Sequence, residues 1–171
     1  MTAKQVTEQD LRNLTDQAAE PADRAEALMR LAHWEKGQYD RLEPTIVGLL
    51  DDASAMVRGG AIKTLLAWQR DSHVESAIRL LQTDHDEDWT ARANAAYALG
   101  NYALNTGRSR ERIIRALTAA LRHDPEWPVQ EQCYESLLQL LRPEQTIASN
   151  GGEFDRERDV DWELLRPYIG A

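Results

Sequence analysis

The residues able to perform chemistry are scattered along this chain instead of being grouped into a catalytic or metal-binding signature. No two of the histidines are four residues apart, the spacing that pairs side chains on one helix face; they are His33, His73, His85 and His123. The sequence contains no HExxH, no GxSxG and no glycine-rich phosphate loop. We therefore expect no catalytic residues, no metal site and no cofactor.

The clearest chemical signal is a set of arginines that recurs at regular spacing. Arg24, Arg58 and Arg92 are each followed three residues later by alanine and seven residues later by leucine, and Gln130 takes the corresponding place in a fourth copy. A guanidinium presents a fork of donors that fits phosphate or carboxylate groups. These arginines could therefore bind an anion or pair with carboxylates of the chain itself.

The recurring segments indicate a repeat architecture. The arginine positions and Gln130 are separated by steps of 34, 34 and 38 residues. The small residue of each copy shares a helix face with the leucine four residues later; in order it is Ala27, Ala61, Ala95 and Cys133. A second helical stretch ending in an acidic turn precedes most copies, as in VGLLDD at 47–52. Because one helix pair cannot bury its own apolar face, neighbouring pairs must stack.

This pattern predicts an all-α fold, an α-solenoid of about four helix pairs, whose first and second helices we term A and B. Start and stop signals place the repeats at about 7–36, 40–70, 72–105 and 109–142, within a domain of residues 1–142. The A helix of the first repeat is predicted at about 7–18 and the B helix of the fourth at about 127–141. Ser72 is predicted to cap the A helix of the third repeat. Residues 143–171 are predicted to form a loop and a short C-terminal capping helix, from about Asp159 to Arg166.

The repeats resemble the HEAT-like repeat family, particularly the short bacterial form also found in phycobilisome lyases. The resemblance covers about residues 10–142 and is carried by LL-DD-VR-A-L, LL-D-W-AR-AA-ALG and AL-DP-W-VQ in the second, third and fourth repeats. It implies that the repeated arginines bond acidic residues of the A–B turns. This predicted structural ladder consists of Arg24, Arg58, Arg92, Asp52, Asp86 and Asp124.

The same resemblance implies that the B helices line the concave surface, which is the usual binding face of a solenoid. The B-helix positions on that face mix charged, amide and aromatic residues, unlike an ordinary face of lysines and arginines. Tyr97 is the most attractive anchor, since aromatic residues are enriched in binding hot spots. The predicted partner-binding residues are Glu26, Met29, His33, Lys63, Asn94, Tyr97, Asn101, Gln132 and Glu135.

Two further aromatic positions are predicted to be structural. One repeat position is occupied by Trp34, Trp68, Tyr102 and Leu140, which are expected to fill the core near the ends of the B helices. Trp89 and Trp127 each begin a B helix and are expected to cover the A–B turn.

The net charge of −9 disfavours nucleic acid and anionic membranes as partners, because an acidic surface repels them. It suits a basic protein partner, and it equally fits an acidic surface that serves solubility alone. Cys133 is the single cysteine, which excludes an internal disulfide and fits a reducing compartment. No apolar run reaches the length of a membrane span. We expect a cytoplasmic protein, and the sequence leaves its oligomeric state open.

Three functional hypotheses follow. The first is a non-enzymatic protein-binding module, either an adaptor or an immunity or inhibitor protein for a basic partner. The alternative is an enzyme on a HEAT-like scaffold, either bilin lyase-like or related to HEAT-like DNA glycosylases, although a glycosylase needs a basic groove that this acidic chain does not predict. A designed consensus array is the third, and the irregular 38-residue step argues against it.

Overall fold

The structure is a computed structural model that describes residues 7–16, 18–32, 39–144 and 153–169. The A helices of the four pairs are α1 (Glu8–Thr15), α3 (Tyr39–Gly48), α5 (Val74–Leu80) and α7 (Arg110–His123). The B helices are α2 (Pro21–Leu31), α4 (Ala55–Ala67), α6 (Trp89–Thr106) and α8 (Trp127–Leu141). Two single-turn helices, α9 (Arg156–Asp159) and α10 (Trp162–Leu165), follow.

The helices stack in chain order, with each A helix against its own B helix and each B helix against the next. Leucine, isoleucine and alanine side chains from successive pairs are buried between the layers; Ala61, Leu65, Ala95 and Leu99 are fully enclosed. The described residues form an all-α solenoid without strands. The predicted fold class is therefore confirmed.

Small residues let the B helices approach closely. Gly100 of α6 faces Ser136 of α8, where a Cβ added to the glycine would lie 2.6 Å from both Cβ and Oγ of the serine. The Ser136 hydroxyl donates to the carbonyl oxygen of Ala96 at 3.3 Å, which bonds the two helices directly. On the other side of the stack, the Thr64 hydroxyl of α4 donates to the carbonyl oxygen of Leu28 at 2.8 Å.

The close approach at Gly100 leads to a stability prediction. Gly100→Ala should lower the free energy of unfolding by about 1–3 kcal/mol, because overpacking against Ser136 outweighs the ~1 kcal/mol gain in helix propensity. Gly48→Ala is the control: a Cβ there meets no atom within 4 Å. We expect that control to raise stability by about 0.4–1 kcal/mol. Urea denaturation measures both, and an equal gain for the two variants would contradict the close helix contact.

Arginine side chains bond one A–B turn to the next. The Nε and Nη2 atoms of Arg92 donate to the two carboxylate oxygens of Asp124 at 2.7 and 2.9 Å. Its Nη1 donates to the carbonyl oxygens of Asp86 and Glu87, both at 2.9 Å. In the last repeat, Gln130 donates to the carbonyl oxygen of Asp124 at 2.7 Å. Arg92 and Gln130 therefore each form hydrogen bonds to the A–B turn of their own repeat. Arg92 also bonds to the A–B turn of the next repeat.

The two preceding arginines occupy the same place. Arg58 makes a two-point contact with the carboxylate of Asp86 at 2.6 and 2.7 Å, and also donates to the carbonyl oxygen of Asp52 at 2.7 Å. Arg24 donates to the carboxylate of Asp52 at 2.5 Å. The six residues predicted to form the ladder thus contact one another from the first repeat to the fourth.

Two local expectations were wrong. Ser72 does not cap an A helix: it lies inside a 3₁₀ turn, Asp71–His73, and α5 begins only at Val74. Asp71 is held in that turn because it accepts the Tyr102 hydroxyl and pairs with Arg108 at 2.6 Å. Helix α1 also ends earlier than predicted, at Thr15, where Asp16 has extended backbone angles.

The C-terminal segment differs from the single predicted helix. It forms two separate turns because Asp155 and Asp161 each cap one, accepting from the backbone of Glu157 and Leu164. Between them the chain is extended at Val160. Pro167 lies within a final 3₁₀ turn, Arg166–Tyr168.

This segment packs on the last helix pair. Phe154, Val160 and Leu165 are buried in the core cluster that includes α7 and α8. The ring of Phe154 lies 6.0 Å from that of Tyr134 on α8. The hydroxyl of Tyr134 accepts from the backbone of Asp161 at 3.0 Å. The segment therefore covers apolar surface of the last helix pair, which would otherwise be exposed at the end of the stack.

Candidate functional site

A groove of about 420 Å³ opens on the surface formed by α2, α4 and α6. Its walls are mostly small and apolar residues with two asparagine amides. Among the described residues, Lys63 is the one charged side chain that lines it. The lining residues are Met29, Ala32, Gly60, Lys63, Thr64, Leu66, Ala67, Tyr97, Ala98, Asn101, Tyr102 and Asn105.

Two large side chains stand exposed beside this groove. Met29 on α2 is 53% exposed and Tyr97 on α6 is 44% exposed. They occupy the same position in the first and third repeats, one on each side of Lys63 in the second. The tight B-helix layer positions them: Gly60 of α4 lies against Leu28 of α2. The result is an apolar rim around a polar centre.

Lys63 is held between two neutral groups. Its Nζ lies 4.9 Å from the centroid of the Tyr97 ring and 3.3 Å from Oδ1 of Asn94. The amide nitrogen of Asn94 donates to the carbonyl oxygen of Thr90 at 2.9 Å, which orients its oxygen toward the lysine. Burial lowers the pKa of Lys63 below its ordinary value, because the charged form loses part of its hydration.

The structure brings together only some of the predicted partner-binding residues. The groove is lined by Met29, Lys63, Tyr97 and Asn101. Asn94 is not part of the lining, but its side chain accepts a hydrogen bond from Lys63. Asn101 also donates to the carbonyl oxygen of Tyr97 at 3.0 Å. His33 lies outside the described residues.

The remaining predicted residues lie elsewhere. Glu26 on α2 pairs with Arg30 of its own helix at 2.5 Å and does not line the groove. Gln132 and Glu135 on α8 bond each other at 3.2 Å, also outside the groove lining. The groove is therefore confined to the first three B helices.

The groove lining also includes residues that were not predicted as partner-binding, among them Asn105 and Tyr102. Asn105 follows Asn101 by four residues, so the same-face spacing of a helix could have identified it. Tyr102 was expected in the core and is indeed 2% exposed, but it also contributes to the groove wall. No spacing rule separates these two roles for a buried aromatic residue.

The other aromatic residues divide into two groups. Trp68 is buried, stacks on Tyr39 with ring centroids 4.4 Å apart, and donates to the carbonyl oxygen of Leu31. Trp89 and Trp127 each begin a B helix and are 45% and 40% exposed. That they cover the A–B turn stays a prediction. Trp34 lies outside the described residues.

The sole cysteine has no exposed surface. Cys133 takes the small-residue position of the fourth repeat and is fully buried. Burial, and in second place the carboxylate of Asp124, raises the pKa of its thiol. Both effects disfavour the thiolate, which is the reactive form.

We therefore expect the Cys133 thiol to be inert in the folded protein. A chromogenic disulfide reagent at pH 8 should detect no thiol in the native protein and the single thiol after denaturation in guanidinium. Rapid reaction of the native protein would show that the fourth B helix opens locally.

The comparisons with known proteins bear on the family. Neither a curated protein nor a solved structure matched this chain. In the described part of the chain, no helix combines the length and apolarity needed to cross a membrane. The family model for HEAT repeats matches residues 8–100 and, in an overlapping second match, residues 42–138. Together with the stacked helix pairs, these matches show that the chain belongs to the HEAT-repeat family.

Proposed function

We propose that this chain is a non-enzymatic protein-binding module that engages its partner through the groove on α2, α4 and α6. The observation that carries the proposal is the exposed apolar rim of Met29 and Tyr97 around Lys63. HEAT repeats form protein-interaction modules, and solenoids commonly bind through the face lined by one helix layer. Exposed aromatic residues beside a pocket are the usual anchors of such contacts.

The charge distribution supports a partner that is basic overall. The edge formed by the A–B turns holds a cleft of about 640 Å³. Outside the ladder pairs, its lining includes the carboxylates of Asp51, Glu87 and Asp88 and the guanidinium of Arg79. This excess of carboxylates would accelerate association with a basic protein. Within this class we propose an adaptor or an immunity or inhibitor protein, acting in a reducing cytoplasm that suits the free thiol of Cys133.

Site-specific photo-crosslinking in a lysate of the source cells tests this function. A photoreactive phenylalanine analogue would replace Tyr97 in the groove, Trp89 at the turn edge or Arg115 on the A-helix side. We expect a discrete, heavier crosslinked protein from position 97 and none from position 115. Crosslinks from position 89 or 115 without any from position 97 would contradict the assignment of the groove.

A further inference from the structure

Lys63 carries an ammonium group in a groove that a partner would cover. In the described chain no carboxylate lies within salt-bridge distance of its Nζ. We propose that the partner segment seated in this groove places an Asp or Glu carboxylate against Lys63, next to a large apolar side chain that packs on Met29 and Tyr97. This inference rests on the proposed function and specifies the chemistry of its partner.

The argument begins with the present neighbours of Lys63. An ammonium group has three donors and no acceptor. One donor is directed to the neutral oxygen of Asn94, at 3.3 Å, and the Tyr97 ring lies 4.9 Å away. Neither group carries a full negative charge. The remaining donors are satisfied by water as long as the groove is open.

Docking would remove that water. A partner that seats an apolar side chain between Met29 and Tyr97 covers the same space that hydrates Lys63. A buried charge is tolerated only when it is paired and hydrogen-bonded. Burial already lowers the pKa of Lys63 in the free protein, so its hydration is incomplete before any partner arrives. A carboxylate is the group that restores the missing charge and accepts the free donors.

The rest of the groove fits a peptide segment. Its volume of about 420 Å³ accommodates a few side chains and not a folded domain. The amides of Asn101 and Asn105 provide polar groups on the α6 wall that can bond to a peptide backbone. An acidic residue at this contact is compatible with a partner that is basic elsewhere, because overall charge acts at long range and the contact is local.

A random-peptide phage library, selected on the immobilised full chain, tests the inference. We expect selected peptides to be enriched in Asp or Glu next to an aromatic or large aliphatic residue. Synthetic versions should bind about tenfold or more weakly to Lys63→Met, the typical loss for a charged hydrogen bond. A loss of similar size is expected for Tyr97→Ala, which removes the aromatic anchor. Trp89→Ala, which alters an equally exposed aromatic residue at the turn edge, should bind them unchanged.

A charge-reversed selection adds a second readout. Selection on Lys63→Glu should exchange the acidic position of the peptides for Lys or Arg. Lys63→Met keeps the aliphatic length of the side chain, and its circular dichroism spectrum and Tm should match those of the unmodified protein. The Lys63→Met variant therefore reports on the contact and not on folding.

The outcomes separate the two proposals. Peptides that depend on Tyr97 but show no acidic enrichment and bind Lys63→Met with full affinity would overturn the carboxylate contact and leave the groove as the binding site. Peptides that depend on Trp89 and not on Tyr97, or the absence of any Tyr97-dependent peptide, would count against the groove itself.

Discussion

Arg92→Ala should lower the free energy of unfolding by about 3–5 kcal/mol, the usual cost of removing one partner of a buried ion pair. Arg92 and Asp124 are 2% and 3% exposed, so water cannot replace the lost guanidinium. The substitution would leave the Asp124 carboxylate without its charged partner. It would also remove the donor to the carbonyl oxygens of Asp86 and Glu87. Urea denaturation followed by circular dichroism measures the loss.

Two further variants make the comparison specific. Arg112→Ala removes an exposed arginine that pairs with Glu75, and we expect a change of about 1 kcal/mol or less. Arg92→Lys keeps the charge but not the planar fork that contacts both oxygens of Asp124. Its loss of stability should therefore lie between those of Arg92→Ala and Arg112→Ala. Equal effects of Arg92→Ala and Arg112→Ala would contradict the buried position of Arg92.

Leu165→Ala should lower the free energy of unfolding by about 2–5 kcal/mol, although Leu165 lies in a four-residue helical turn near the end of the chain. The reason is its complete burial in the core cluster that includes the last helix pair. Leu104→Ala is the matched control, because Leu104 is 50% exposed on α6. The control should change stability by no more than about 0.5 kcal/mol. Thermal and urea denaturation of the two variants provide the comparison.

A small effect of Leu165→Ala, equal to that of Leu104→Ala, would show that the C-terminal segment does not cover the stack in solution. Phe154→Ala offers an independent check on the same contact. The Phe154 ring lies against Tyr134 of α8, and removing that ring should lower the free energy of unfolding by about 3–5 kcal/mol.

The fold was predictable because the repeat supplies the same information several times. A small residue and a leucine four residues later recur in each copy, and an acidic turn precedes most of them, so an error in one copy is corrected by the others. Helix α8 shows this best: its predicted span of 127–141 equals the observed Trp127–Leu141. The fold class and the HEAT family are both confirmed.

Features outside the repeat were harder to predict. The 3₁₀ turn at Ser72 depends on Tyr102, thirty residues away in sequence, whose hydroxyl donates to Asp71. Such a contact depends on tertiary structure, which no local pattern encodes. At the C-terminus, a cap at Asp155 adds the turn Arg156–Asp159 ahead of the predicted helix, and a cap at Asp161 begins the helix itself at Trp162. Both caps are local contacts of the kind that a sequence can indicate.

The groove was only partly accessible to sequence reasoning. The periodicity placed Met29, Lys63 and Tyr97 at the equivalent position of the first three repeats, and these three residues do line the groove. Glu135 takes the same position in the fourth repeat, but the groove does not extend to α8. A repeat predicts which residues share a face. It does not predict where that face is hollow, because this depends on side-chain volumes across several helices.

The affinity of the protein captured by crosslinking at position 97 tests the central claim most directly. Isothermal titration calorimetry would compare the unmodified chain with Tyr97→Ala and Trp89→Ala. If the groove is the binding site, Tyr97→Ala should weaken binding roughly thirtyfold or more, as expected for a hot spot of about 2 kcal/mol, and Trp89→Ala should leave the Kd unchanged. Unchanged affinity for Tyr97→Ala together with lost affinity for Trp89→Ala would place the contact at the turn edge and contradict the groove.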